Sequence, residues 1–254
     1  MPKPNSTGAP VALVTGAGSG IGAAAARALS GAGFALLLGD VNEEAVTEVA
    51  RGLGDDALAV RVDVRDDASV QEFARRGVER FGGFDAVLPN AGLAVPEAPL
   101  AETPVDAIDW MIAVNLRGAM LTVRAALPEV RDGGSIVLTS SISGLQAHPF
   151  AAAYAASKTA LIGFGRSLAI EVAPRRIRVN MVCPGGVDTP LVRNVYGDEA
   201  PRMIEEYESV NPLGRIAQPE DIASAMRFLV SPEARHVNGV ALRVDGGDCL
   251  MGAV

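Results

Sequence analysis

Cysteine and histidine, the residues that most often hold metals or form disulfides, are scarce in this chain. Only Cys183, Cys249, His148 and His236 occur among its 254 residues. The sequence contains no CxxC or HExxH motif and no cluster of cysteines and histidines. We therefore expect no metal site, and two isolated thiols are typical of a protein in the reducing cytoplasm.

Long apolar runs and basic stretches are missing as well. Although 49% of the residues are hydrophobic, no apolar run approaches the ~18 residues of a membrane-spanning helix. The formal net charge is −8. Without a stripe of lysine and arginine, such a surface repels phosphate backbones, so we expect no nucleic-acid partner. Residues 1–9 lack the apolar core of a secretion signal, which predicts a disordered tail before one domain at residues 10–254.

What the chain does contain is an alternation of short apolar segments and longer amphipathic ones. The predicted strands are residues 11–15, 34–39, 57–62, 86–88, 135–139, 177–182 and 240–244. The predicted helices are residues 21–29, 43–53, 67–81, 107–127, 152–172 and 219–229. Apolar strands that alternate with helices favour a parallel sheet covered on both faces. The predicted fold class is therefore α/β, a doubly wound Rossmann-type sheet in a three-layer α/β/α domain.

Residues 187–211 interrupt this alternation because they carry no strand pattern. A long insertion of this kind is often a substrate lid, and a plain surface loop is the alternative. In open α/β sheets, ligands bind beyond the carboxyl ends of the strands. Asp40, Asp63, Asn90, Ser140 and Ser141 each follow a predicted strand. We therefore expect these side chains to lie along one edge of the sheet.

A glycine-rich turn lies between the first predicted strand and the first predicted helix. Its spacing is T-G-x-x-x-G-x-G, and its residues include Thr15, Gly16, Gly18, Ser19, Gly20, Ile21 and Gly22. Glycines allow a close approach of the backbone, so that amide N–H groups and the helix N-terminus can hold a pyrophosphate. A turn without a ligand is the alternative, but the position between strand and helix favours a dinucleotide site.

Asp40 ends the second predicted strand and indicates which dinucleotide binds. A carboxylate at this place can accept hydrogen bonds from both hydroxyls of an adenosine ribose, and it repels a 2′-phosphate. Neither Ser19 nor Val41 offers a cation for such a phosphate. The sequence therefore predicts NAD as the cofactor, with a surface carboxylate at a strand end as the alternative.

Further motifs follow these two in order along the chain. They are Asp63-Val64, Asn90-Ala91-Gly92, Asn115, Ser141, Tyr154-Ala155-Ala156-Ser157-Lys158 and Pro184-Gly185-Gly186-Val187-Asp188-Thr189. From Thr15 to Gly247 the chain resembles the short-chain dehydrogenase/reductase superfamily, in its branch with TGxxxGxG and YxxxK motifs. One departure is visible, because Pro89 stands where many members have a second asparagine before Asn90.

The resemblance implies a cofactor contact for each of these motifs. The residues that it assigns to the adenosine end are Asp40, Val41, Asp63, Val64, Asn90, Ala91 and Gly92. Those that it assigns to the nicotinamide end are Tyr154, Lys158, Pro184, Gly185, Val187 and Thr189. In particular, it implies that Lys158 bonds the hydroxyls of the nicotinamide ribose.

Tyr154 and Lys158 lie one turn apart in a predicted helix, so their side chains share one face. A free phenol has a pKa of about 10 and is a poor base at neutral pH. A nearby ammonium and the positive charge of an oxidised nicotinamide both favour the phenolate, and lowering the pKa by 2–3 units needs roughly 3–4 kcal/mol. We therefore expect Tyr154 to transfer the substrate proton. The alternative is an interfacial tyrosine beside a solvated lysine.

The predicted catalytic set is Asn115, Ser141, Tyr154 and Lys158. The Ser141 hydroxyl can hydrogen-bond the substrate oxygen, although serines after a strand often only satisfy turn backbone groups. The resemblance favours Ser141 over its neighbour Ser140 as the catalytic residue. It also implies that Asn115 distorts its helix and helps to hold a water in a proton relay. A buried asparagine that satisfies local backbone groups is the alternative.

These residues predict an NAD(H)-dependent enzyme that interconverts a secondary alcohol and its ketone. The predicted substrate pocket is mainly apolar and consists of Leu93, Leu145, His148, Phe150, Leu191, Val192, Val195 and Tyr196. Within this set, a solvated loop histidine is the alternative for His148. The alternative functions are an NADPH-dependent ketone reductase and, in another class, a dinucleotide-binding scaffold without turnover.

The predicted helices at residues 107–127 and 152–172 also bear on assembly. Both are long and rich in alanine, with several apolar faces. Such helices need cover from the sheet on one side and from a second subunit on the other. Because relatives commonly form tetramers, we expect a homotetramer.

Overall fold

The computed structural model describes residues 8–250. Its strands are β1 (Val11–Thr15), β2 (Ala35–Asp40), β3 (Ala57–Arg61), β4 (Phe84–Leu88), β5 (Val130–Thr139), β6 (Arg178–Pro184) and β7 (Ala241–Val244). Its α-helices are α1 (Gly20–Ser30), α2 (Glu43–Leu53), α3 (Asp67–Phe81), α4 (Val105–Met111), α5 (Ala119–Ala126), α6 (Ala152–Glu171), α7 (Pro190–Tyr196), α8 (Ala200–Val210) and α9 (Pro219–Val230). Of the predicted tail, residues 1–7 lie outside the described residues.

The strands form one parallel sheet in the order β3-β2-β1-β4-β5-β6-β7. Every residue of β1 is buried because both faces of the sheet are covered. Phe73, Phe84 and Ile162 belong to one apolar layer, and Leu29 and Met226 belong to the other. The predicted doubly wound three-layer domain is confirmed. Its strand order reverses between β1 and β4, where such sheets open a crevice for ligands.

Several element boundaries differ from the prediction by one or two residues, and two elements differ by more. β5 begins at Val130 rather than at residue 135, because Val130 pairs with Phe84 before the register shifts to Ala86 and Ser135. Gly133 and Gly134 interrupt the apolar pattern there and hide the start of the strand. The helix predicted at residues 107–127 is also broken, because Ile112–Gly118 forms a π-helix between α4 and α5.

The segment at residues 187–211 is mostly helical, since it contains α7 and α8. The plain surface loop that we weighed for this segment is therefore the poorer description. The role of the segment as a lid stays a prediction.

Some features concern only the part of the chain that the structure describes. There, no helix is long and apolar enough to span a membrane. No group of three or more His, Cys, Asp or Glu side chains within residues 8–250 could hold a metal ion. Cys183 is buried, Cys249 is half-buried, and both are free thiols.

Candidate active site

A cleft of about 820 Å³ lies at the carboxyl edge of the sheet. The predicted cofactor and catalytic residues that line it are Gly16, Ser19, Gly20, Ile21, Asp40, Val41, Asp63, Val64, Asn90, Ala91, Gly92, Ser141, Tyr154, Lys158, Pro184, Gly185, Val187 and Thr189. The predicted substrate residues that line it are Leu93, His148, Phe150, Leu191, Val192, Val195 and Tyr196. One continuous cavity thus brings most of the predicted site together.

The remaining predicted residues do not line this cleft. Leu145 is 39% exposed on the surface outside it, which corrects its assignment to the substrate pocket. Thr15, Gly18 and Gly22 shape the glycine turn instead of facing the cavity. The Thr15 hydroxyl accepts the backbone N–H of Asn90 at 3.1 Å. A Cβ on Gly22 would lie 1.9 Å from the carbonyl oxygen of Gly16, so only glycine fits there.

The glycine turn presents the N-terminus of α1 to the cleft. Gly16 has a positive φ of 65°, and a Cβ at this residue would lie 2.8 Å from the Cα of Ala91. The N-cap residue, Ser19, makes no capping hydrogen bond with its side chain to any described residue, and no acidic residue lies in the first turn of α1. The first amides of this helix therefore suit a phosphate group, and the turn fits a dinucleotide.

Asp40 is held in place at the end of β2 by the turn itself. Its Oδ2 accepts the backbone N–H of Gly18 at 2.9 Å, and its Oδ1 accepts that of Asn42 at 2.9 Å. A carboxylate oxygen has more than one acceptor direction, so these bonds leave capacity for ligand hydroxyls. The carboxylate also lines the cleft, which fits an adenosine ribose beside it.

Asp63 is engaged with a cation that the sequence reasoning missed. Arg65 lines the cleft and donates to both carboxylate oxygens of Asp63, with the shortest distance at 2.7 Å. This pairing holds the pKa of Asp63 below its usual value. The Arg65 guanidinium also lies over the ring of Trp110, 5.6 Å from its centroid. The sequence signal is the short spacing from Asp63 to Arg65.

Asn90 ties the ends of three strands together. Its Nδ2 donates to the carbonyls of Thr15 and Gly16, both at 3.2 Å. Its Oδ1 accepts the hydroxyl of Thr139 at 3.2 Å. Pro89, the departure from the family pattern, keeps its carbonyl in use, since it accepts the backbone N–H of Thr139.

Lys158 is buried in α6, and only 4% of its surface is exposed. Its Nζ donates to the carbonyl of Thr139 at 3.0 Å and lies 5.6 Å from the ring centroid of Tyr154. Burial lowers the pKa of Lys158 to about 8. The alternative of a solvated lysine is therefore wrong.

The pKa of Tyr154 differs from the expectation. Burial raises the pKa of the phenol, and a hydrogen bond with Ser141 offsets only part of this rise. The side chains of this chain therefore do not by themselves make the phenol acidic, and the prediction that Lys158 and an oxidised nicotinamide together do so stays a prediction. The physical reason is that burial disfavours the charged form of both groups.

Ser140 and Ser141 have different surroundings. The Ser140 hydroxyl donates to the carbonyl of Lys158 at 2.9 Å and so fixes α6 against the end of β5. The Ser141 hydroxyl accepts the backbone N–H of Ser143 at 3.1 Å and bonds the Ser143 hydroxyl at 3.2 Å. Ser141 is therefore the serine that neighbours the phenol.

Asn115 is buried within the π-helix and does not line the cleft. Its Oδ1 accepts the backbone N–H of Leu93 at 2.8 Å, and its Nδ2 donates to the Leu93 carbonyl at 2.9 Å. The same Nδ2 also donates to the Ser157 hydroxyl at 3.2 Å. The expected helix distortion is present, but the side chain itself matches the alternative of a buried asparagine that satisfies backbone groups.

His148 belongs to a chain of hydrogen bonds that starts at Ser141. The Ser143 hydroxyl bonds His148 Nδ1 at 2.7 Å, and His148 Nε2 bonds Glu97 Oε1 at 3.0 Å. The Tyr196 hydroxyl, from α7, donates to the same Glu97 oxygen at 3.0 Å. The alternative of a solvated loop histidine is therefore wrong.

The comparisons with known proteins agree with this geometry. The family profile described as enoyl-(acyl carrier protein) reductase matches residues 16–248. The cis-4-hydroxycyclohexanecarboxylate dehydrogenase of Sinomonas cyclohexanicum is 43% identical over 241 residues, which cover 93% of this chain and 95% of that protein. The crystal structure of levodione reductase superposes with a TM-score of 0.90 at 31% identity and covers 95% of this chain and 98% of its own.

The chain belongs to the short-chain dehydrogenase/reductase family. It is accordingly an oxidoreductase, and its family binds a nicotinamide dinucleotide. Two further solved structures contain such a ligand. The 3-ketoacyl-(acyl-carrier-protein) reductase from Brucella melitensis complexed with NADH has a TM-score of 0.88 and 32% identity, covering 94% of this chain and 98% of that one. A blue fluorescent protein from a metagenomic library in complex with NADPH has a TM-score of 0.87 and 32% identity, covering 96% of this chain and 98% of that one.

In this short-chain dehydrogenase/reductase, several cleft residues escaped the sequence reasoning. They are Arg65, Glu97, Trp110, Ser143 and Asp248. The sequence signal for Ser143 was its position two residues after Ser141. Glu97 gave no signal, because its partners His148 and Tyr196 are distant in sequence.

Proposed function

We propose that this short-chain dehydrogenase/reductase interconverts a secondary alcohol and its ketone with NAD(H), and that Tyr154 is the general acid and base. The dinucleotide supplies or accepts the hydride. The observation that carries the proposal is that Tyr154, Ser141 and Lys158 line the same cleft as the glycine turn and Asp40. A scaffold without turnover would not need this set of side chains.

Each residue of the set has a distinct part. Ser141 bonds the substrate oxygen and keeps it beside the phenol. Tyr154 takes the hydroxyl proton in oxidation and returns it in reduction. Lys158, close to Gly92 on the cleft wall, bonds the hydroxyls of the nicotinamide ribose. Its ammonium lowers the cost of the phenolate when a second positive charge is present in the cleft. Asn115 is a positioning residue, because it fixes the backbone of Leu93.

Asp40 supports NAD over NADP. Its carboxylate lines the cleft at the end of β2, where it repels a 2′-phosphate. Arg65 is the cation that would favour the rival cofactor. However, Asp63 already neutralises it through an ion pair. The rival NADPH-dependent reductase therefore has weaker support.

A cyclic secondary alcohol is the substrate class that we favour. Leu191, Val192 and Val195 bring apolar surface from α7 to the cleft, and we propose that α7 and α8 form the lid. The relative from Sinomonas cyclohexanicum is named for cis-4-hydroxycyclohexanecarboxylate, a cyclic secondary alcohol, which supports a cyclic substrate.

The test is a turnover assay with a panel of alcohols and ketones in the presence of either dinucleotide. We expect the NADH absorbance to change fastest with cyclic secondary alcohols and NAD. Preference for NADPH, or for small anionic substrates, would contradict the proposal in that respect. The absence of turnover with any pair, despite measured dinucleotide binding, would favour the scaffold.

We also propose that the enzyme is a homotetramer and works in the cytoplasm. Ile112, Met120 and Ile170 expose apolar surface on the π-helix, α5 and α6, and contact with other subunits would cover it. The two free thiols suit a reducing compartment.

A further inference from the structure

A single row of hydrogen bonds connects the catalytic serine to a charged pair at the rim of the cleft. It runs from Ser141 to Ser143, from Ser143 to His148 Nδ1 at 2.7 Å, and from His148 Nε2 to Glu97 at 3.0 Å. Ser141 and Ser143 are buried, so water does not easily replace their mutual bond. The orientation of each hydroxyl in the row therefore depends on its neighbour.

We propose that His148, held by Glu97, is a positioning residue that sets through Ser143 whether the Ser141 hydroxyl donates to the substrate oxygen or accepts from it. This inference rests on the proposed function, since it concerns the oxygen of an alcohol or a ketone. It adds a residue pair, His148 and Glu97, to the set that controls the reaction.

The neutral form of His148 favours the alcohol. Glu97 is an acceptor, so the single proton of a neutral imidazole must lie on Nε2, and Nδ1 then accepts from the Ser143 hydroxyl. With its hydrogen used in this way, Ser143 accepts from Ser141. Ser141 then has no hydrogen for the substrate oxygen. One of its two lone pairs accepts the backbone N–H of Ser143, and the other is left for the substrate. Ser141 is ready to accept from a substrate hydroxyl.

The protonated form favours the ketone. Both ring nitrogens now donate, so Nδ1 donates to Ser143 and the Ser143 hydrogen turns to Ser141. The Ser141 hydrogen is then free to donate to a carbonyl oxygen. No O–H bond is broken in this switch, because each hydroxyl keeps its own hydrogen and only rotates. The only proton that is gained or lost is on His148.

Charged and titratable groups surround His148 from several elements. Glu97 faces it from the loop after β4, and Asp248 faces it from the segment after β7. Tyr196 of α7 and Tyr207 and Glu206 of α8 share a small cavity with it. The hydrogen bond to Glu97 is the main reason that the pKa of His148 lies above its usual value. Burial raises the pKa of both tyrosines, so they stay neutral.

The chain offers a well-matched background for the experiment. Its only other histidine, His236, is exposed and outside the cleft. His236→Asn, produced without a histidine tag, therefore gives a protein with one imidazole and is expected to keep its activity. In this background, ¹⁵N NMR reads the protonation and the tautomer of His148 directly and needs no turnover.

We expect the His148 signals to titrate above the usual histidine pKa, with the Nε2–H tautomer at high pH. Glu97→Gln should lower this pKa. As the pH rises through this titration, kcat for ketone reduction should fall about tenfold further in the background protein than in His148→Asn or Ser143→Ala. The reason is that deprotonation of His148 removes one hydrogen bond to the reacting oxygen. Alcohol oxidation should show the opposite trend. The double variant Ser143→Ala/His148→Asn should behave like Ser143→Ala alone.

Several results would overturn the inference while leaving the proposed function intact. One is turnover of His148→Asn with the same pH profile as the background protein. Another is a rate loss in the double variant that equals the product of the losses in the two single variants, because residues that act independently give that result. A third is an Nδ1–H tautomer of neutral His148. By contrast, a background protein that binds the dinucleotide but turns over no alcohol or ketone contradicts the proposed function, and the tautomer then still decides whether the row of hydrogen bonds exists.

Discussion

At the residue scale, burial is the largest influence on the pKa of the two residues proposed for catalysis on α6. Lys158 and Tyr154 are both affected, and burial shifts the pKa of each toward the neutral form. The protein alone therefore keeps a neutral phenol beside an amine that is easily deprotonated. The positive charge that favours a phenolate has to arrive with the oxidised cofactor.

The titration of Lys158 tests this view. Because burial disfavours the ammonium, the amine should lose its proton as the pH rises through about 8 rather than near its ordinary value of 10.5. The chain has only two lysines, Lys3 and Lys158, so lysine-labelled protein gives an NMR spectrum that a Lys158→Met variant assigns at once. A Lys158 signal that titrates at 10.5 or above would contradict the account.

Asp40 carries a second prediction at this scale. Asp40→Ala should raise the Kd for NADH at least about tenfold, because hydrogen bonds to a charged acceptor are lost. It should also improve the relative affinity for NADPH, since the repulsion of a 2′-phosphate disappears. Asp55→Ala, at an exposed position before β3, is the control and should leave both constants unchanged. Fluorescence titration measures both, and equal losses in the two variants would argue against ribose recognition by Asp40.

Local patterns made some of these residues predictable and left others hidden. Asp40 and Ser141 follow strands, and Tyr154 and Lys158 share one helical face, so strand ends and helical spacing were enough. Glu97 lies 51 positions from its partner His148, and only the folded chain brings them together. The pKa directions were also out of reach, because they depend on how completely the helix α6 is covered.

At the element scale, the break between α4 and α5 is what gives Asn115 its place. A π-helix turns by an extra residue, and such turns are frequent at functional sites. Here it lets Asn115 reach both backbone groups of Leu93, in the loop after β4 that lines the cleft. Helical periodicity predicted the span of the helix but could not reveal the π turn, since hydrophobic spacing continues through it.

Asn115→Ala should therefore destabilise the protein. It leaves the N–H and C=O of Leu93 without their partner and removes one of the two hydrogen bonds of the Ser157 hydroxyl, at an expected cost of about 1–3 kcal/mol in the free energy of unfolding. Urea denaturation measures this value. Asp109→Ala, at an exposed position of α4, should stay close to the unmodified protein. If the two variants were equally stable, the Asn115 bonds would not be holding the cleft wall.

At the scale of the whole molecule, the alternation of strands and helices predicted a parallel sheet with its ligand site at the carboxyl edge, and the strand order came only from the structure. The exposed apolar side chains of the long helices are a separate matter. Met120 is 37% exposed and Ile170 is 76% exposed, and the proposed contact with another subunit would cover them. The apolar faces of two predicted helices and the resemblance to tetrameric relatives predicted an assembly, but they could not select which face is buried.

Light scattering tests the proposed assembly. We expect a mass near four times the 26.1 kDa of the chain, and Met120→Asp should reduce it because a charge would be buried at the contact. Thr47→Asp introduces the same charge at an exposed position of α2 and should not change the mass. A monomer in the unmodified protein would show that these helices need no cover.

The most direct test of the whole account is the turnover of Tyr154→Phe beside the unmodified enzyme. Removal of the one hydroxyl that exchanges the substrate proton should lower kcat at least about 100-fold. The Kd for the dinucleotide should change by no more than about twofold, because the glycine turn and Asp40 are untouched. If NADH were formed equally fast by the two proteins, Tyr154 would have no part in the chemistry.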